Sequence, residues 1–127
     1  MNVGRVTVKS LKSEAYLADK CQVADSYFVR LRGLIGRSGL RPGEGLLFPR
    51  CNSIHMWFMR FPIDVVFLRV EKEADGRLVR RVSSAHSNIR PWRIFPLTDW
   101  SSSETLELPV GAIARARLQA GDELCIS

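Results

Sequence analysis

The residues best suited to chemistry fall in one stretch, Cys51 to Leu68 (CNSIHMWFMRFPIDVVFL). It sets a thiol, an imidazole, a guanidinium and a carboxylate among aromatic and thioether side chains. Cys51, His55 and Asp64 are the types a thiol hydrolase uses: a thiolate to attack, an imidazole to take its proton and a carboxylate to orient the imidazole. Spacing works against that set. In extended chain Cys51 and His55 stand about 13 Å apart, so only a bend at Asn52-Ser53 would join them, and Asp64 would have to reach across from a second strand. The simpler reading is preferred: Cys51 packs as a small apolar residue and His55 is a satisfied histidine. There is no GxSxG turn to present a serine nucleophile.

A zinc site would need three or four ligands, but the chain has only two histidines, His55 and His86, and their spacing from Cys51 forms no ligand motif. Neither a metal nor a cofactor is expected. Binding suits the residue types better. Trp57, Met59, Arg60 and Asp64, with Arg32 and Trp92 from elsewhere, could form a soft apolar site with a few convergent polar groups. Such a site fits a small ligand, a peptide or a protein partner, anionic ones included. Its competitor is an aromatic core in which Asp64 is a brace, held by Arg60, Arg32 or backbone N–H groups.

The charge balance also favours acidic partners. Net charge is +6, and arginine supplies fifteen of the nineteen basic residues. Arg80-Arg81 and Arg90-Pro-Trp92-Arg93 place basic residues beside an aromatic, as single-strand binders do. The arginines are nevertheless spread from Arg5 to Arg117, the pattern of a solvated face. Nucleic acid therefore ranks below a binding module and a thiol hydrolase.

These side chains must be held by a β-rich scaffold. Arg5–Ser10 alternates apolar and polar residues, and further strands are expected within 15–23, 45–48, 54–59, 63–71, 78–82, 105–108 and 122–126. Pro62 makes 54–59 and 63–68 read as a hairpin around a tight bend. Asp75-Gly76 is a hairpin turn. Residues 83–88 read as polar loop, and the two prolines of 90–96 mark an extended edge. Phe28, Leu31, Leu34 and Ile35 predict one main helix near 25–35, capped by Asp25 or Ser26, and a shorter helix fits 111–118. The fold class is thus mainly β, a mostly antiparallel sandwich or partly open barrel, in one domain spanning 1–127.

Composition agrees with a soluble globular domain, at 46% hydrophobic and 25% charged residues. No apolar run approaches the ~20 residues of a membrane span, so no membrane partner is expected. No secretory signal is expected from MNVGRVTVKS, which lacks a long apolar run, and three widely spaced cysteines suit a reducing cytoplasm. A monomer or weak homo-oligomer is expected.

Several landmarks together resemble the small prokaryotic family catalogued as domain of unknown function 192. They include Arg30-Leu-Arg-Gly33-Leu34, Gly45-Leu-Leu-Phe48, Ser53-Ile-His-Met56 and Phe58-Met-Arg-Phe-Pro-Ile-Asp64-Val-Val-Phe67. Pro91-Trp92, Leu106-Glu-Leu-Pro-Val-Gly111 and Gly121-Asp122 complete the set. Met59 to Asp64 follows a Met-Arg-Phe-Pro-Ile-Asp variant of the family pattern. The resemblance implies a compact β-rich domain with one main helix. It implies no reaction.

Overall fold

The computed structural model describes residues 4–24, 38–56 and 59–127. The helix expected near 25–35, with Arg32, and the residues Trp57 and Phe58 lie outside the described residues.

The strands are β1 (Gly4–Ser10), β2 (Tyr16–Val23), β3 (Glu44–Pro49), β4 (Ser53–Ile54) and β5 (Ile63–Lys72). They continue as β6 (Leu78–Ile89), β7 (Leu97–Thr98), β8 (Glu104–Leu108) and β9 (Glu123–Ile126), with a short helix α1 (Ala112–Ala116) before β9. Seven of them close into a barrel in the order β1-β2-β3-β8-β5-β6-β9, with β9 returning to β1. Neighbours run antiparallel except β2 and β3, which are parallel. The mainly β, mostly antiparallel class holds, and the sheet has gone to full closure. Register shifts in β1 and β5 supply local bends of the kind that let short strands curl into a barrel.

The hydrophobic pattern explains the layering. Ile63–Leu68 is buried at six consecutive positions, then Arg69–Lys72 alternates between partly buried and exposed. A strand apolar on both faces needs cover on both. One face supplies the barrel interior, where Val66 and Leu68 meet Leu106, Leu108, Val8, Val82 and Leu124. The other face supplies a second core, where Ile63, Val65 and Phe67 meet Leu46, Phe48, Met56, Met59 and Phe61. Cys51, Ile54, Met56, Met59 and Phe61 therefore cap the outside of the barrel wall. Among the described residues no helix is long and apolar enough to cross a membrane.

Two expectations are corrected here. Among the described residues, 54–59 and 63–68 do not form a hairpin: strand β4 ends at Ile54, which pairs with Leu97 of β7, while β5 takes β6 and β8 as its neighbours. The Met59 N–H turns back to the Met56 carbonyl at 3.2 Å, so the segment uses its backbone groups in a local turn before Pro62. Residues 83–88 are not loop but the second half of β6, paired with β5 as far as Ile89. Ladder hydrogen bonding to a fully buried strand outweighs the polar composition of that half.

Candidate functional site

Asp64 sits second in β5 and is fully buried. Its Oδ1 accepts the Asn88 N–H at 2.9 Å, and its Oδ2 accepts the N–H groups of Gly111 at 3.1 Å and Ile113 at 3.0 Å. Gly111 is the N-cap of α1, held at φ 98°, and has no side chain to cap the helix. Asp64 supplies that missing acceptor from another strand, placing negative charge at the helix start where free N–H groups converge. A Cβ at position 111 would be strained by the positive φ and would lie 3.1 Å from the Arg115 guanidinium. Asp64 thus fastens α1, whose Ala112, Ile113 and Ala116 pack into the barrel core.

The other predicted site residues separate. Cys51 is half-buried; its thiol donates to the Ser53 carbonyl at 3.1 Å, and its own carbonyl accepts the Thr105 hydroxyl at 2.7 Å. His55 lies half-buried just beyond β4. With both Asp64 oxygens on backbone donors, Cys51, His55 and Asp64 are not linked as a hydrogen-bonded triad. Met59 is 1% exposed and belongs to the second core, whereas Arg60 is exposed and does not hold Asp64. Burial pushes the Cys21 thiol up to about 12, far from a reactive thiolate. Among the described residues no three His, Cys, Asp or Glu side chains cluster as metal ligands.

Among the described residues of the predicted set, Trp92 presents the largest apolar surface, and it belongs to an arm spanning Arg90 to Trp100. Trp92 is 58% exposed, Ile94 and Phe95 each 74%, and Trp100 86%. Pro91 and Pro96 lack the N–H a ladder needs, so the segment leaves the barrel after β6. It is clipped at both ends. The Trp92 N–H bonds the Met56 carbonyl at 3.0 Å and the Asp99 N–H bonds the Asn52 carbonyl at 2.9 Å, with the β4–β7 ribbon between. The Ser53 and Thr98 hydroxyls meet across that ribbon at 2.8 Å.

Asp99 anchors the far end. Its Oδ2 accepts the Ser84 hydroxyl at 2.6 Å, and its Oδ1 accepts the Ser101 hydroxyl at 2.6 Å and the Ser101 N–H at 3.0 Å. Desolvation pushes the Asp99 carboxyl up, but the hydrogen bonds from Ser101 and Ser84 outweigh it and hold the group at about 2. Ser84 spends its proton on Asp99, so its oxygen accepts from His86 Nε2 at 3.0 Å. That polarity is the reverse of an activated serine, which donates to its imidazole. Burial lowers the His86 pKa, with Asp99 acting against the shift and Arg93 adding to it.

Because the Asp99 pKa is depressed on folding, this clip contributes fully above the ordinary carboxyl value of 3.8 and is lost as pH falls through about 2. Ser84→Ala is expected to raise the Asp99 midpoint toward the ordinary value in a carboxyl-detected NMR titration. An unmoved midpoint would assign the clip to Ser101 alone.

Sequence reading missed Asp99, Ser84, Phe95 and Trp100. The usable signal was Ile94 and Phe95 in a proline-bracketed stretch, with Trp100 just beyond it and no alternation to bury them. It also missed Glu107, fully buried on β8 between Leu46 and Val65. Arg80 and Arg81 prove to be bound residues. Arg80 pairs with Glu104 at 2.7 Å, and Arg81 with Glu71 at 2.8 Å, Glu73 at 3.4 Å and Glu123 at 3.5 Å.

A closed seven-stranded barrel, fastened at α1 and covered by an outer capping layer, defines a small β-barrel domain. The chain belongs to the DUF192 family, described as Uncharacterized ACR, whose model matches residues 8–126. It is 33% identical over 122 residues to a UPF0127 protein of Pyrococcus abyssi, covering 91% of this chain and 90% of that one. It is 32% identical over 109 residues to a UPF0127 protein of Thermococcus sibiricus, covering 83% of this chain but only 64% of that longer relative. Two crystal structures share the fold. A protein of unknown function from Novosphingobium aromaticivorans aligns with TM-score 0.73 at 23% identity, over 97% of this chain and 84% of that one. A putative transcription regulator from Sinorhizobium meliloti aligns with TM-score 0.74 at 22% identity, over 98% and 93%.

Proposed function

We propose that this chain is a non-catalytic binding or adaptor module whose contact surface is the Arg90–Trp100 arm. One observation carries the reading: four large apolar side chains on that arm are each more than half exposed. Contiguous exposed apolar surface on a small domain marks an interaction site, and Trp and Arg are the residues that anchor such sites. Arg90 and Arg93 flank the apolar group, and both are exposed. The ion pairs of Arg80 and Arg81 weigh against a nucleic-acid track along β6. Three free cysteines suit a reducing compartment such as the cytoplasm.

The competing reading, a thiol hydrolase using Cys51, His55 and Asp64, is weakened by the bonds that engage both Asp64 oxygens. Purified protein assayed against ester, thioester and amide substrates is expected to show no turnover that depends on Cys51. Turnover abolished by Cys51→Ala would overturn the binding-module reading.

A further inference from the structure

We infer that the arm seats the domain on an anionic lipid surface, with Ile94, Phe95 and Trp100 entering the interface and Arg90 and Arg93 meeting the headgroups. The inference rests on the binding-module reading and names its partner. Three observations favour a soft, negatively charged surface.

The apolar side chains stand out from the barrel. Phe95 at 74% and Trp100 at 86% exposure are convex features, whereas a small ligand or short peptide is held in a concave site. Two clefts among the described residues, one lined by Tyr16, Lys20, Gly43 and Arg115 and one by Ala15, Ala112 and Ala116, share no residue with the arm.

The arm's charge also matches. Its cations, Arg90 and Arg93, are exposed, while its single carboxylate, Asp99, is turned inward onto Ser84 and Ser101. The whole chain adds a net charge of +6. Anionic headgroups attract such juxtaposed basic residues, and Trp and Phe settle at the boundary between headgroups and acyl chains.

Finally, the arm is held at both ends by the Met56 and Asn52 carbonyls and stiffened by Pro91 and Pro96. A pre-set loop loses little conformational freedom on insertion.

The test uses the full chain with extruded vesicles, either phosphatidylcholine alone or an equal mixture with phosphatidylglycerol, followed by flotation and tryptophan emission. Binding to the anionic vesicles is expected to exceed that to the neutral ones by about tenfold or more at low salt, to weaken with salt, and to shift emission to the blue. Ile94→Asp with Phe95→Asp should reduce it by about tenfold or more, since each removes an inserting apolar group. Both positions are exposed, so the melting temperature should stay unchanged and rule out misfolding. Arg90→Glu with Arg93→Glu should erase the preference for anionic vesicles. Failure to float with either vesicle, or flotation indifferent to the Ile94 and Phe95 changes, would overturn the proposal. So would arm-dependent binding to polyglutamate or a single-stranded oligonucleotide without vesicle binding, which would make the arm a protein or nucleic-acid contact. Flotation indifferent to the arm changes would also move the contact surface away from the arm; the other outcomes leave the parent reading standing, and Cys51-dependent turnover overturns it.

Discussion

Asp64→Ala is expected to destabilise the domain by about 4.5 kcal/mol or more, since a hydrogen bond to a charged group contributes at least about 1.5 kcal/mol and three are lost together. The Asn88, Gly111 and Ile113 N–H groups all bond this buried carboxylate. Alanine leaves them without an acceptor and removes the negative charge from the start of α1. Against a total stability of about 5–15 kcal/mol, that loss brings a small domain close to unfolding. Asp64→Asn is the finer test. Its remaining oxygen can keep the two α1 donors, but its NH2 group then faces the Asn88 N–H, donor against donor. A loss of about 2–3 kcal/mol follows, or roughly 10 °C in melting temperature for a domain of this size. Asp75→Asn serves as the control. Asp75 lies exposed in the β5–β6 turn and accepts only the Arg77 N–H, so its change should stay within about 0.5 kcal/mol. Equal melting of the Asp64 and Asp75 variants would refute the fastening role.

How much of this was readable in the sequence depends on the range of the interaction. The apolar run of β5, the Asp75-Gly76 turn and the short helix before Gly121 are local features, and local rules found them. Partner choice is not local. Ile54 and Leu97 pair across about a third of the chain, and nothing in Ser53-Ile54 specifies Leu97-Thr98 as its neighbour. The same holds for Asp64. Burial demanded a partner for it, and the sequence allowed Arg60, Arg32 or backbone N–H groups; the donors are backbone N–H groups, which any sequence carries, so the particular ones could not be named. Glu107 shows a different limit. Leu106-Glu107-Leu108 alternates as a strand with one wet face would, yet that face lies under the second core. A covering layer contributed by other segments cannot be inferred from one strand's alternation. The arm was missed for the opposite reason: prolines and arginines made it read as an edge, and its apolar side chains gained meaning only from their exposure.

The second large effect is expected at Phe67, which separates the two cores. Phe67 is fully buried in the outer core, while Leu68, next along β5, is fully buried in the barrel interior. Truncating either to alanine leaves a cavity the neighbours only partly fill. Phe67→Ala should cost about 3–5 kcal/mol and Leu68→Ala about 2–5 kcal/mol, read as shifts in the denaturant midpoint with unchanged slope. The two differ in what else they disturb. The Phe67 ring meets the His86 ring edge-on, with centroids 5.6 Å apart and planes at 77°. Removing it opens the apolar wall beside His86 and admits water, so the burial that lowers the His86 pKa is relieved. His86 in Phe67→Ala should therefore titrate closer to its ordinary value of 6.5. The Asp99 carboxyl takes its hydrogen bonds from Ser101 and Ser84 and none from His86, so it should stay at about 2. Leu68→Ala empties the other face of the strand and should leave both titrations where they are. If Leu68→Ala moves His86 as far as Phe67→Ala does, the two cores act as one and the arm is coupled to the whole barrel. If neither variant moves it, the His86–Ser84–Asp99 chain does not depend on the outer core.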